Sequence, residues 1–286
     1  MLWENLREEE FTQAIEKSGR LCVMPVGCLE MHGQHLPLNT DCLIAEATAK
    51  LASEVEEVVV FPTFKFGDIQ GLKQHYGSVI LSVGLIQEIL TELCAEIARN
   101  GFKKIMLLNA HGGNTAILNN FIRSTMYAKK DYVVMCRNAY DWGIHDLVRE
   151  LDKGVEFPHL NDADKECLRD FVYNRKTIGH ACLEETSLIL AIAPELVRMD
   201  RMHEVDGLST HKADYLAEYG LTASTRFWSV NFPNSYSGHH SDNASARIGQ
   251  TLLDRYVKRQ AEACRIIKAD DRILEWNDDW NHSWVE

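Results

Sequence analysis

The run Leu-Cys-Val-Met-Pro-Val at 21–26 is apolar throughout and stops at Gly27. Its length predicts a short buried strand. Gly33 and Pro37 hold the next stretch irregular, and Thr40 is placed to cap a helix that starts near Asp41. Between strand and helix lie Glu30, His32, His35 and Asp41, four lone-pair donors within twelve residues. In open α/β sheets ligands gather at the edge where strands hand over to helices. Alone, the cluster is ordinary, because short loops are polar and most neighbouring acids and imidazoles bind nothing.

The same arrangement recurs downstream. Lys103–Leu108 reads as a second buried strand and runs straight into Asn-Ala-His-Gly-Gly-Asn at 109–114. That places His111 at the same carboxyl edge, while Gly112 and Gly113 permit a tight turn and close approach to a ligand. One such turn would be a β-α loop with a surface histidine; two matched clusters favour a metal site. The third stretch is Gly-His-Ala-Cys-Leu-Glu-Glu-Thr-Ser at 179–187, opening a helix over 181–193 that Pro194 ends. Within a helix, His180 and Glu184 share a face and Glu185 points about a quarter-turn away. Adjacent glutamates usually mark a solvated surface. Yet Thr186–Ala193 is almost wholly apolar, so these acids begin an interior helix and need partners.

Strands at 57–62 and 132–136, with 79–81 as a short strand or extended edge, alternate with helices at 41–54, 85–100 and 115–129. That alternation predicts an α/β fold with a parallel sheet covered on both faces. A helical stripe precedes it at 4–18, and a long final helix spans about 243–267. Residues 138–179 read as loops and short helices, a lid or a subunit contact, and 200–240 as irregular. The tail at 269–286 spaces Trp276, Trp280 and Trp284 by four, either to dock on a neighbouring subunit or to finish this subunit's core. With no internal repeat or linker, 1–286 is read as a single domain.

Thirty basic against forty-two acidic residues give a formal charge of −12, which argues against nucleic acid or an anionic membrane as partner. No apolar stretch approaches the ~20 residues that span a bilayer. The N-terminus lacks the features of a signal peptide. Eight cysteines without a C-x-x-C pair suit free thiols in a reducing compartment. The expected location is the cytoplasm.

Taken together, Glu-x-His-Gly-x-His-Leu-Pro-Leu-x-Thr-Asp at 30–41, Asn-Ala-His-Gly-Gly-Asn at 109–114 and His-Ala-x-x-x-Glu-Thr-Ser at 180–187 resemble the creatininase family of metal-dependent amidohydrolases. The likeness runs from about residue 15 to the last long helix. It implies a three-layer α/β/α sandwich with a mainly parallel sheet, two divalent metals per subunit and usually a homohexamer. Known activities include creatinine ring opening and deformylation of a pyrimidine-nucleotide intermediate; a peptide-maturation protein also belongs.

Carried over by position, the resemblance implies that Glu30 and His111 bind one metal and His32 the other, with Asp41 bridging. Zinc, manganese or iron(II) suits such a mixture of imidazoles and carboxylates. The two ions would share a hydroxide that attacks the amide carbon. His180 would shuttle a proton to the leaving nitrogen. His35 would orient a ligand or the substrate. His75, Tyr76, Ser78 and Asn114 are expected to contact the substrate, with Asp68 nearby. His239 and His240 lie in a Gly/Ser loop, where a solvated pair is the commoner outcome.

Two departures stand out. Creatinine-hydrolysing members bind the second metal with a glutamate where this chain has Gly113, and Glu185 is the candidate replacement. Those members also cover the substrate with a tryptophan at the position of Lys176. An ammonium pairs with a carboxylate or phosphate instead, which argues against creatinine and for another, anionic, amide. The leading expectation is a dinuclear metal hydrolase of a small cyclic amide or formamide. The alternatives are a metal-dependent lactonase or sugar isomerase, and a non-catalytic metal-binding relative.

Overall fold

In a computed structural model of the protein, which describes residues 1–174, 176, 179–221 and 225–285, the apolar runs form a parallel sheet. Its strands are β1 (Leu21–Val26), β2 (Val59–Val60), β3 (Lys104–Asn109) and β4 (Val133–Asn138), in the order β2-β1-β3-β4. Pro25 fits inside β1 because β2 has already ended beside it. On that side its carbonyl accepts the loop N–H of Phe64 at 2.9 Å, and no ladder donor is required of the proline.

The helices are α1 (Phe11–Lys17), α2 (Thr40–Val55), α3 (Val83–Arg99), α4 (Asn114–Ser124), α5 (Ile144–Asp152) and α6 (Asp162–Tyr173). They continue with α7 (Leu183–Ile192), α8 (Tyr215–Glu218), α9 (Thr225–Asn231), α10 (Ala246–Ala269) and α11 (Arg272–His282). Alternation along the strands sorts them into layers. Leu21, Val23, Met106 and Leu108 pack into one core with α2, α5, α6, α7 and α10. Cys22, Met24, Ile105 and Leu107 pack into the other with α1, α3 and α4. The result is the α/β sandwich expected.

Several local expectations change. Thr40 is the first residue of α2, not its cap; its hydroxyl donates back to Pro37 O at 2.7 Å, and Asn39 holds the cap position. Residues 4–18 form two short 3-10 turns and then α1. Val79 makes a single backbone bond to Leu29 O (3.1 Å) and starts no strand. The helix expected from 181 begins at Leu183, because Ala181 is left-handed at φ 57°. His180 therefore does not share a helical face with Glu184. Between 138 and 179, α5 and α6 bury Ile144, Leu147, Leu168 and Phe171 in the core, so they are no lid. The tail forms α11, docked by the Asn277 and Asn281 amides on Lys130 O at 2.7 Å. Trp276 and Trp280 stay 59 % and 50 % exposed and complete no core.

At the amino end of β3 the Lys104 side chain is fully buried. Its Nζ donates to Ile267 O (3.0 Å) and Lys268 O (3.1 Å) and pairs with Asp271 Oδ1 (2.8 Å). A cation there satisfies the last carbonyls of α10 and favours its negative end. Among the described residues no helix is long and apolar enough to cross a membrane.

Candidate metal centre

The carboxyl edge of the sheet assembles the site. After β1, Gly27 lies against the first turn of α2: a Cβ there would meet Cys42 N at 2.6 Å and Asp41 C at 2.9 Å. Only glycine lets this helix start so near the strand, which carries the Asp41 carboxylate over the sheet. Glu30 is tied down by its N–H to Leu38 O at 3.1 Å. His111 follows the end of β3, and Glu185 sits in the first turn of α7. Glu30, His32, Asp41, His111 and Glu185 are buried, and His180 is partly buried.

Asp41 stands between two pairs. His111 Nδ1 lies 2.9 Å from Asp41 Oδ2 and 3.0 Å from Glu30 Oε1. On the other side His32 Nε2 lies 3.2 Å from Asp41 Oδ1 and 3.9 Å from Glu185 Oε2. His180 Nδ1 approaches Glu30 Oε1 at 3.6 Å. Among the described residues, donor atoms within 4.8 Å of one another form three groups: Glu30, Asp41 and His111 with Cys28; His32, Asp41 and Glu185; and Glu30, His32 and His180. Cys28 was not anticipated; its thiol donates to Asp41 Oδ2 at 3.0 Å.

Backbone carbonyls settle the tautomers, since a carbonyl only accepts. His32 Nδ1–H donates to Glu30 O (3.1 Å), His111 Nε2–H to Asp68 O (3.1 Å) and His180 Nε2–H to Met31 O (2.7 Å). Each imidazole is thereby turned so that its other nitrogen faces the carboxylates. Second-partner contacts of this kind orient histidines toward cations. Two left-handed residues flank His180, Ala181 and Ser235. The Ala181 N–H donates to Glu185 Oε2, and Ser235 Oγ donates to Met31 O at 2.8 Å.

Burial alone would lower the His32 pKa, but Asp41, then Glu185 and Glu30, hold it up at about 9. His111 is likewise driven well above its usual value against burial, by Glu30 and Asp41. Burial would raise Asp41, but His32 and His111 keep it far below the ordinary carboxylate range. Glu185 is pushed up to about 7 by burial, with Asp41 adding to it against His32. His180 falls to about 4, through burial and then the nearby His32. The cluster retains protons at positions where three carboxylates call for positive charge.

The donor set fits divalent cations. Glu30 Oε1 is buried and faces the imidazole nitrogens of His111 (3.0 Å), His180 (3.6 Å) and His32 (4.0 Å). Three carboxylates and inward-facing imidazoles converge on it, a costly arrangement unless cations compensate it. Gly113 leaves the room that the orientation of His111 needs. A Cβ at 113 would sit 2.7 Å from Asp68 O and collide with His111 Nε2, breaking the bond that orients His111. Glu185 approaches from the opposite side, its Oε2 3.9 Å from His32 Nε2.

A cavity of about 730 Å³ opens over the cluster. Besides the acids it is lined by Tyr140, Glu184 and Trp228, none singled out as substrate contacts from sequence. Tyr140 OH donates to Glu185 Oε1 at 3.4 Å, and Trp228 meets His180 edge-on at 5.4 Å between centroids. Tyr140 follows β4 at the same edge as the motifs, a signal the sequence did carry; Trp228 comes from α9, beyond any motif.

The expected substrate contacts fare less well. Lys176 pairs with Asp170 and lies over Phe171 at 5.3 Å, away from the cavity lining. Tyr76 is fully exposed, and neither it nor His75 nor Ser78 lines the cavity. The Asn114 amide is spent on structure, accepting Asp68 N–H at 2.8 Å and donating to Asn109 Oδ1 at 3.0 Å. His35 reaches Thr186 Oγ1 at 3.1 Å, bracing the helix that carries Glu185. Asp68 does line the cavity. His240 bonds to Val205 O at 3.0 Å rather than standing in solvent.

A family model described as creatininase, creatinine amidohydrolase, matches residues 4–264. The creatinine amidohydrolase of Pseudomonas putida is 25 % identical over 203 residues, 68 % of this chain and 72 % of that protein. The mycofactocin precursor peptide peptidase of Mycobacterium tuberculosis is 35 % identical over 113 residues, 35 % of this chain and 43 % of that protein. Among solved structures, a manganese creatininase superposes with a TM-score of 0.70 at 22 % identity, covering 94 % of this chain and 99 % of its own.

Proposed function

The chain belongs to the creatininase family, and from that premise we propose that it is a metal-dependent hydrolase of a C–N amide bond in a small cyclic amide or formamide. The observation that carries this reading is Asp41, shared between the Glu30–His111 pair and the His32–Glu185 pair. One ion would be held by Glu30, His111 and one oxygen of Asp41, the other by His32, Glu185 and the second oxygen. Two divalent ions, zinc, manganese or iron, would polarise the carbonyl and lower the pKa of a shared water.

The chain's own residues do the rest. Burial and the nearby His32 keep the His180 imidazole neutral, and Nδ1, turned toward Glu30 at 3.6 Å, is the atom placed to relay a proton to the leaving nitrogen. A water oxygen adds to the carbonyl carbon as its proton passes to His180, and the C–N bond breaks as that proton reaches the nitrogen, leaving a carboxylate and an amine. Tyr140 keeps Glu185 oriented, and Trp228 walls His180 off from bulk water.

The free state of all eight cysteines supports a reducing, cytoplasmic setting. Two cores on one sheet support reading 1–286 as one domain. The resemblance extends to a homohexamer, and the exposed Trp276 and Trp280 support a subunit contact; a monomeric mass by light scattering would remove it.

The decisive experiment joins metal analysis to a panel of amides, formamides and lactones. The expected result is close to two transition-metal ions per chain and hydrolysis of an amide or formamide that chelation abolishes. Full metal content with no turnover on the panel would leave a binding protein and end the hydrolase reading.

A further inference from the structure

One buried acid in the cavity belongs to none of the three donor groups. Glu184, 8 % exposed, lines the cavity and has Tyr256 OH as its hydrogen-bond partner at Oε1. Among the described residues it forms no ion pair, and no hydrogen bond reaches Oε2. A buried carboxylate with one neutral partner costs folding free energy unless a ligand repays it. Glu185, its neighbour in sequence, turns to the ion site; Glu184 turns to α10 and the cavity wall.

The surroundings point to the charge of that ligand. Five carboxylates line the cavity, from Glu30, Asp41, Asp68, Glu184 and Glu185, and among the described residues no lysine or arginine does. Three of the five are committed to the ion site, leaving Asp68 and Glu184. The indole of Trp228 shares the cavity and adds a surface that attracts cations. The volume is within the range of pockets for drug-sized ligands, ~300–1,000 Å³. A substrate with a tail beyond the scissile amide therefore has room.

Resting on the hydrolase reading above, we propose that Glu184, pinned by Tyr256, selects amide substrates that carry a cationic nitrogen on a tail away from the reacting carbonyl. Carboxylate and cation form a charge-assisted hydrogen bond through Oε2. This replaces the anionic substrate that Lys176 suggested.

The test uses metal-loaded protein and two readouts. Calorimetry with propylguanidinium chloride is expected to show binding to the wild type that weakens at least about tenfold in Glu184→Gln. Hydrolysis of 4-guanidinobutanamide is expected to exceed that of neutral 5-methylhexanamide and anionic succinamate in kcat/KM by at least about tenfold, with that preference collapsing in the variant. Glu184→Met, which keeps the volume and removes the buried charge, repeats both measurements in case the amide misfolds. Metal content is measured first; a variant that loses its ions places Glu184 in the ion site and overturns the proposal. Equal propylguanidinium affinity in wild type and variants, or equal kcat/KM on neutral and cationic amides, also overturns it while sparing the hydrolase reading. Guanidinium binding that depends on Glu184, with no turnover of these amides or of the cyclic amides and formamides of the wider panel, has the opposite meaning: selection stands and hydrolysis falls.

Discussion

The two ends of β3 bury charge in opposite ways. At the amino end Lys104 is wholly enclosed, and two carbonyls of α10 and Asp271 complete its contacts. At the carboxyl end, beyond Asn109, the carboxylates of Glu30, Asp41 and Glu185 crowd together among three imidazoles, with no lysine or arginine paired to them among the described residues. The first is closed by the chain's own atoms and serves the fold. The second is left open, and its imidazoles hold protons where the carboxylates demand positive charge. Buried charge that the chain itself satisfies marks architecture, and buried charge left unsatisfied marks a place for something else.

The strongest challenge to that contrast is Asp41→Asn. Turnover should fall by at least roughly 10²–10³-fold, and elemental analysis should find both ions gone. Without ions the variant should unfold at a lower urea concentration, because His32 and His111 hold the Asp41 pKa far below its ordinary value and its charged form therefore stabilises the fold. Ions retained at the wild-type level would end the contrast. Next, His180→Ala should slow hydrolysis by ~10²–10⁴-fold while keeping the ions, and unchanged rates would remove it from the chemistry.

Proton competition sharpens the contrast further. An ion must displace the proton that His32 holds below pH about 9, and below pH about 7 also the one on Glu185. Apparent metal affinity should therefore rise with pH toward 9, more steeply below 7 than above it. A chelator titration that is flat over this range would show that the cluster is not the ion site. The smallest effect belongs to the other end: Lys104→Met should cost about 1–3 kcal/mol in urea unfolding, with metal content and turnover unchanged.

Much of this was legible from the chain alone. Leu21–Val26 and Ile105–Leu108 are apolar runs that end in glycine-containing turns, so both their strand character and the edge position of Glu30, His32, Asp41 and His111 followed from local pattern. Glu185 was legible because an acid opening an apolar helix needs a partner. The cavity wall was not. Trp228 and Glu184 reach it as single residues from separate elements, with no spacing to announce them. Tyr76 and Lys176 failed for a related reason. Sequence position places a residue near a motif, but where it faces depends on packing by distant segments, as with Asp170, which holds the lysine.

Gly27 carries a consequence for metal choice. Because its bare α-carbon rests against the main chain of Asp41 and Cys42, the shared carboxylate is anchored by backbone contact and has little freedom to slide. The gap between the two cations would thus be dictated by how closely strand and helix abut. Ionic radius would be screened by main-chain geometry, and a single added methyl at this position would push on the shared carboxylate itself.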